Sequence, residues 1–229
     1  MVFVSHSARI AEGLVELARQ MAPTAALVAA GGTDDGRIGT SFDRVSGAIS
    51  EADSGNGVVV LCDLGSAILT SETALDFLDD DVRARVRIAD APLVEGGVAA
   101  AVAAEGGDDL ERVLAAAESA KGGGAPAAPE APASSATRGG GGGASAHSRT
   151  VTLVNADGLH ARPAAELVKL ASTFPQRVTV NGTDAKSLLA IMSLGLTKGA
   201  RVEIASDDSD GTPAVDAIAD LAMSGFGEA

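Results

Sequence analysis

With 229 residues, 46% of them hydrophobic, and a formal charge of −14, the chain has room for one large or two small domains. It is too acidic for nonspecific binding to nucleic acid or to an anionic membrane. A single cysteine, Cys62, excludes an internal disulfide framework or a thiolate metal cluster and points to a reducing, cytoplasmic setting. Neither a basic leader with an apolar segment nor a run of about twenty apolar residues occurs, so no signal peptide or membrane span is expected. Trp and Tyr are absent, which leaves Leu, Val, Ile and Ala to build the cores.

Met1 to Ser5 predicts a short buried strand that runs straight into His6 and Ser7. Ile10, Leu14, Leu17 and Ala18 recur at helical spacing, with Glu12, Glu16 and Arg19 opposite, and Ser5 or Ser7 is placed to cap that helix. Ala25 to Ala29 predicts a second strand. The glycine-rich loop from Ala30 to Thr40 follows; it lacks both the P-loop lysine and the dinucleotide fingerprint, so a nucleotide site there has little support. Ser41 opens a helix carrying Phe42, Val45 and Ile49. Val58 to Leu61 is apolar throughout, as in the centre of a parallel sheet, and ends at Cys62-Asp63-Leu64-Gly65-Ser66. Ser66 and Ser71 are candidate caps for a helix over Ala67 to Leu78. Arg83 to Ile88 alternates basic and apolar residues, so one face of that strand should be wetter, Pro92 onward is alanine-rich and helical with Gly96-Gly97 as a weak point, and Asp108 to Ala120 forms a last helix.

This alternation predicts an α/β domain over residues 1–120, an open and mainly parallel sheet with helices on both faces. Ligands gather at the carboxyl ends of strands in such folds, where His6, the glycine-rich loop and Asp63 all lie. A histidine that attacks phosphorus with one nitrogen needs the other N–H held, and Asp63 is the candidate acceptor; the plainer reading of Asp63 is a turn or cap residue. Cys62 reads as a small buried apolar side chain.

The pieces Val4-Ser5-His6-Ser7, Gly31-Gly32-Thr33, Ile38-Gly39-Thr40-Ser41 and Leu61-Cys62-Asp63-Leu64-Gly65-Ser66-Ala67 give this part a family resemblance. It resembles the phosphotransferase subunit of bacterial dihydroxyacetone kinase, whose leading domain is akin to the enzyme IIA domains of mannose-type sugar transporters. The resemblance implies that His6 accepts a phosphoryl group at Nε2 and that Asp63 orients it. It further implies that Gly39, Thr40 and Ser66 line the phosphoryl pocket and that this domain forms a homodimer.

Residues 121–148, rich in Gly, Ala and Pro, form the clearest boundary and read as a flexible linker with a reach of roughly 30 Å. His147 falls within it and is assigned no role. Residues 1–120 carry 8 basic and 20 acidic side chains, net −12, and the remainder 9 and 11, net −2.

In residues 149–229, Val151 to Val154 predicts a strand, Asn155 to Gly158 a turn, and His160 the start of a helix continuing through Leu167, Val168 and Leu170. Helix starts present unpaired N–H groups to anions, Pro163 fits a first turn, and Arg162 adds a positive fork; the plainer reading of His160 is a loop or cap residue. Arg177 to Val180 and Thr183 to Lys186 flank an Asn181-Gly182 turn, normally type I′. Ser187 caps a short helix ending at Gly195, Ala200 to Ala205 is a strand, and Asp210 to Gly225 carries a final helix. The order predicts a small α+β open-faced sandwich. Leu188, Leu189, Ile191 and Met192 read either as core or as a docking patch.

Gly158-Leu159-His160-Ala161-Arg162-Pro163-Ala164 and Lys186 to Gly195 resemble the histidine-containing phosphocarrier protein (HPr) of the bacterial sugar phosphotransferase system. By that resemblance His160 is phosphorylated at Nδ1, Arg162 helps hold the group, and Ser187 matches a serine that a regulatory kinase modifies in some bacteria; its capping role ranks first here. The two resemblances together imply a phosphohistidine relay in which enzyme I, charged by phosphoenolpyruvate, loads His160 and His160 loads His6. The final acceptor is Mg-ADP on the kinase's nucleotide-binding subunit, which serves dihydroxyacetone on a substrate-binding subunit. No cofactor resides in this chain. Some relatives carry a further region resembling enzyme I; since this sequence ends at Ala229, a separate enzyme I is the expected donor. The alternatives are a mannose-type permease component and a regulatory binding protein that reports phosphorylation state.

Overall fold

Four short runs in the first half of the chain, three of them apolar and the fourth, Val86 to Ala89, broken by Arg87, are each followed by a helix. In the computed structural model, which describes residues 1–122 and 147–227, they pair as parallel strands. The strands are β1 (Val2–Ser5), β2 (Val28–Gly31), β3 (Val58–Cys62) and β4 (Val86–Ala89), in the order β2-β1-β3-β4. The helices are α1 (Ala8–Arg19), α2 (Phe42–Ala52), α3 (Gly65–Asp76), the short α4 (Asp80–Arg83), α5 (Leu93–Glu105) and α6 (Leu110–Glu118). Successive side chains point to opposite faces of a strand, so each face carries its own layer. Val2, Val4, Val58, Val60 and Val86 pack under Val45, Ile49, Ala67 and Ala74 of α2 and α3. Phe3 and Leu61 point the other way, toward α5.

Some boundaries differ from expectation. The second strand starts three residues later than the apolar run, because Met1 and Ala26 are joined ahead of it by the terminal amine donating to the Ala26 carbonyl. The stretch at Arg83 is the end of α4, so the edge strand is only Val86–Ala89. On α1 the buried positions are Ala11, Leu14, Val15 and Ala18, whereas Ile10 and Leu17 are exposed: the apolar stripe is rotated toward the alanines. Ser66 and Ser71 lie inside α3, whose N-cap position is Leu64.

The chain forms a second compact unit. Its strands β5 (His147–Thr152), β6 (Thr179–Val180), β7 (Thr183–Asp184) and β8 (Arg201–Ser206) form an antiparallel sheet ordered β5-β8-β6-β7. On β8, Val202 and Ile204 are buried while Arg201 and Glu203 are exposed. Helices α7 (Ala161–Ser172), α8 (Leu188–Ser193) and α9 (Thr212–Met223) cover the apolar side, α9 lying along β5 and β8 and against α7. Asn181 and Gly182 both take positive φ, 49° and 80°, as the expected type I′ turn requires.

The expected linker falls mostly on residues 123–146, outside the described residues. At its edges the chain is ordered differently from a linker: Ser119–Gly122 forms a 3-10 turn, and His147 and Ser148 are paired in β5. His147 is no spacer. Its Nδ1 accepts from the Thr212 hydroxyl at 2.7 Å and its Nε2 donates to the Ser209 carbonyl at 3.2 Å, tying the start of β5 to the start of α9.

Gly96-Gly97 is a point of close packing rather than a weak one. A Cβ on Gly96 would sit 2.8 Å from Ala91 Cβ and 3.0 Å from the Ala117 carbonyl oxygen. Gly96→Ala gains up to about 1 kcal/mol in helix propensity but forces α5 away from α6, an overpacking cost of about 1–3 kcal/mol. The expected result is a net loss of stability, read as a lower urea midpoint of the N-terminal unit; a raised midpoint would show that the helices can part at no cost.

Candidate functional site

The parallel pairing of β1 and β3 sets Val4 opposite Cys62, so the residues just beyond, Ser5-His6 and Asp63, emerge side by side. The Asp63 N–H still donates to the Val4 carbonyl at 3.1 Å, which fixes the two strand ends to each other. The Asp63 carboxylate then accepts from four donors. Oδ1 lies 2.9 Å from His6 Nδ1 and accepts from the Leu64 N–H at 2.8 Å. Oδ2 accepts from the His6 backbone N–H and from the Ser5 hydroxyl, each at 2.9 Å.

This network decides the His6 tautomer. An ionised carboxylate only accepts, so Nδ1 carries the proton and Nε2 of the neutral ring carries the lone pair. Ser66 Oγ lies 2.7 Å from Nε2 and donates to it. Both ring nitrogens are thus engaged, one by a buried anchor and the other by a hydroxyl at the exposed mouth. Burial acts to raise the Asp63 carboxyl, but the His6 backbone N–H, the His6 ring and the Ser5 hydroxyl outweigh it and hold the group below the ordinary carboxylate range.

Gly39 and Ser66 each bond to His6, and Thr40 is joined to Ser66 through Thr70. The Gly39 N–H donates to the His6 carbonyl at 2.9 Å. The Thr40 and Thr70 hydroxyls meet at 2.8 Å, and Thr70 donates to the Ser66 carbonyl at 3.0 Å. Ile38 and Leu64, the neighbours of Gly39 and Asp63, are 76% and 59% exposed and form an apolar rim. Cys62 is buried against the Ser71 hydroxyl, and burial pushes its thiol up, in line with an inert packing role.

Sequence reasoning assigned Ser5 only a capping role and missed Thr70. Ser5 is fully buried, accepts from the Ser7 N–H at 3.1 Å and passes its own proton to Asp63. The available signal was a hydroxyl closing an otherwise apolar buried strand. Thr70 gave no comparable signal, since its contact with Thr40 spans thirty residues.

In the second unit His160 is the N-cap of α7, with extended φ and ψ of −79° and −173°, and it is exposed. Its N–H donates to the Gly158 carbonyl at 3.0 Å and its carbonyl accepts from Ala164 at 2.9 Å. Arg162 is exposed at the second helical position and Pro163 is buried at the third. The N–H groups of Ala161 and Arg162 have no acceptor within the helix, and Pro163 has none to offer, so the helix start presents donors beside the imidazole-bearing residue. The turn leading there is held hard. Gly158 has φ of 69°, and a Cβ on it would come within 2.3 Å of the Leu196 carbonyl oxygen. Its own carbonyl accepts from the Asn155 amide. Ser187 occupies the N-cap position of α8, but its hydroxyl makes no cap hydrogen bond, so the capping contact expected of it is not formed. On α8, Leu188 and Ile191 are core, and Leu189 and Met192 are half-buried.

An α/β unit with histidine at a strand end, followed by a small sandwich with histidine at a helix start, defines a class: fused components of the phosphotransferase system. Residues 1–114 match the family described as PTS system fructose IIA component (mannose-type), and residues 147–224 match the PTS HPr component phosphorylation site. The chain belongs to the DhaM-like family, in which a mannose-type IIA domain is fused to an HPr domain. It is 32% identical to the phosphoryl donor subunit DhaM of PEP-dependent dihydroxyacetone kinase from Providencia stuartii, an alignment covering 100% of this chain and 50% of that protein. It is 44% identical to the corresponding subunit of dihydroxyacetone kinase 2 from Listeria innocua, over 44% of this chain and 82% of that protein. Among solved structures, HPr-C-His from Thermoanaerobacter tengcongensis aligns at 39% identity and a TM-score of 0.34, covering 36% of this chain and 98% of that one. The chain spans about half the length of the curated relatives that it matches from end to end.

The lowered Asp63 carboxyl has a definite sign. A group depressed by folding contributes stability that is whole above its unfolded value, about 3.9, and is lost as pH falls through the lower folded value. The Asp63 side-chain carbon signal in a pH titration should therefore have its midpoint below about 3.9, moving up toward it in His6→Ala. A midpoint at or above the ordinary value would contradict the four-donor arrangement.

Proposed function

We propose that the chain is a phosphoryl relay in which enzyme I, charged by phosphoenolpyruvate, loads His160, and His160 loads His6. From His6 the group passes to Mg-ADP on the nucleotide-binding subunit of a dihydroxyacetone kinase, whose substrate-binding subunit presents dihydroxyacetone. The observation that carries this reading is the His6 ring, pinned at Nδ1 by Asp63 with Nε2 at the exposed mouth. The similarity to phosphoryl donor subunits of PEP-dependent dihydroxyacetone kinases supports the choice of pathway.

In the step at His6 the Nε2 lone pair attacks phosphorus as the bond from phosphorus to His160 Nδ1 breaks. His160 leaves with its lone pair restored, and no proton changes hands. The His6 ring, which keeps its Nδ1 proton, becomes a phosphorylated imidazolium, and the Asp63 carboxylate faces the charge that develops. Gly39, Thr40 and Ser66 line the phosphoryl pocket, and Arg162 with the α7 N–H groups neutralises the oxygens on the His160 side. Ile38 and Leu64 around His6, and Leu189 and Met192 on α8, supply the apolar surface for docking.

The proposed organisation is a IIA-like domain over residues 1–120, a linker over 121–148, most of it outside the described residues, and an HPr-like domain over 149–229, whose first strand also takes in His147 and Ser148. The tether keeps each histidine at high effective concentration around the other. A homodimer through the N-terminal domain and a cytoplasmic location complete the reading. No helix among the described residues is long and apolar enough to cross a membrane.

Incubation with enzyme I and phosphoenolpyruvate tests the order of transfer. His160→Ala should abolish acid-labile label throughout the chain, and His6→Ala should leave label on the tail but form no ATP on the nucleotide-binding subunit. Strong label on His6 in His160→Ala overturns the order. Asp63→Ala should slow transfer to His6 by about 10²-fold or more while shifting the melting temperature by only a few degrees; an unchanged rate refutes its orienting role.

A further inference from the structure

Ser66 bonds the His6 ring through its hydroxyl and accepts from Thr70 through its backbone carbonyl, Thr70 meets Thr40, and the proton directions along this chain can be assigned. Thr70 has one hydroxyl proton, and at 3.0 Å from the Ser66 carbonyl that proton is donated there. In the contact between Thr40 and Thr70, 2.8 Å long, Thr40 must then be the donor. Ser66 donates to His6 Nε2, because Nδ1 holds the ring proton. In the resting state every proton of the chain is therefore committed: Ser66 to the ring lone pair and Thr40 away from the pocket.

A phosphoryl group on Nε2 removes the acceptor that Ser66 uses, since that lone pair becomes the N–P bond. The Ser66 hydroxyl is then free to turn to a phosphoryl oxygen. Thr40 reaches the same group only if its proton is released by Thr70. One rotation about the Cβ–Oγ bond of Thr70 does this, moving its proton from the Ser66 carbonyl to the Thr40 oxygen and freeing the Thr40 proton for the phosphoryl group. Threonine suits the position, being both donor and acceptor and bonded locally to the carbonyl four residues back.

We propose that Thr70 is a positioning residue whose hydroxyl turns from the Ser66 carbonyl to the Thr40 oxygen when His6 is phosphorylated, reversing the Thr40–Thr70 hydrogen bond. Thr70 touches neither the ring nor the phosphoryl group and acts through Thr40. The proposal rests on His6 as phosphoacceptor, with Thr40 in its pocket.

The test uses the full chain with enzyme I and phosphoenolpyruvate, following phosphate on His6 by phosphorus NMR and by rapid-quench labelling. Wild type is the control for the underlying reading: if His6 takes no phosphate, that reading fails and this proposal with it. Given labelling of wild type, Thr70→Val should load His6 about tenfold more slowly, the effect of one hydrogen bond lost in the transition state. It should also shift the phosphohistidine resonance, whereas Thr70→Ser restores both. Thr70→Ala serves as a second variant lacking the hydroxyl, so that poor folding of one leaves the other to decide. Because Thr70 acts through Thr40, the double variant Thr40→Val/Thr70→Val should load no more slowly than Thr40→Val alone. A wild-type rate without the Thr70 hydroxyl, an equal loss in Thr70→Ser, or full additivity in the double variant overturns the proposal.

Discussion

One carboxylate with four donors organises the first unit. Asp63 is reached by the end of β1 through a side chain, a ring and a main-chain N–H, and its own loop supplies the fourth donor. The first three contacts require β1 and β3 to be neighbours that end at the same level, which the parallel register provides. The sheet thus does more than bury valines: it brings two residues fifty-seven apart in sequence to within a hydrogen bond and orders the ring before any phosphoryl group arrives. Preorganisation of this kind lowers the reorganisation needed when charge develops on the imidazole.

The second histidine is held by different means. His160 has its backbone set by a tight turn, with the Gly158 carbonyl shared between the Asn155 amide and the His160 N–H. In the proposed relay the charge offered to a phosphoryl group there is positive, from Arg162 and the helix start, where the first site has a carboxylate behind the ring. A group held against cations on one side and passed to a ring backed by an anion experiences two different balances of stabilisation. In the proposed relay that difference is available to set the direction of transfer, while the tether sets its frequency.

Much of this was legible in the residues. Strands that are apolar throughout imply a sheet covered on both faces, and that architecture alone places His6 and Asp63 at one edge. The Asn-Gly turn and the helix beginning at His160 follow from local chemistry that tertiary contacts do not override. What failed did so for tertiary reasons. On α1 the stripe of Ile10, Leu14, Leu17 and Ala18 is right at Leu14 and Ala18, but the buried face takes Ala11 and Val15 in place of Ile10 and Leu17, which a count weighted to large side chains favours. Gly96 read as a helix breaker because the neighbouring helix that needs its missing Cβ lies outside any local window. His147 read as spacer because its partners, Ser209 and Thr212, lie more than sixty residues on. Ser66 looked like a cap and instead stands within the first turn of α3, where its hydroxyl is left to serve the ring.

The central claim is that Asp63 keeps the proton of His6 on Nδ1 and leaves Nε2 as the reactive nitrogen. Two-bond proton–nitrogen correlation on the chain labelled at histidine reads this directly. The account predicts a protonated Nδ1 and a lone-pair-bearing Nε2 on His6 before phosphorylation, and phosphorus coupled to Nε2 afterwards. A resting ring protonated on Nε2, or phosphorus coupled to Nδ1 of His6, would contradict it.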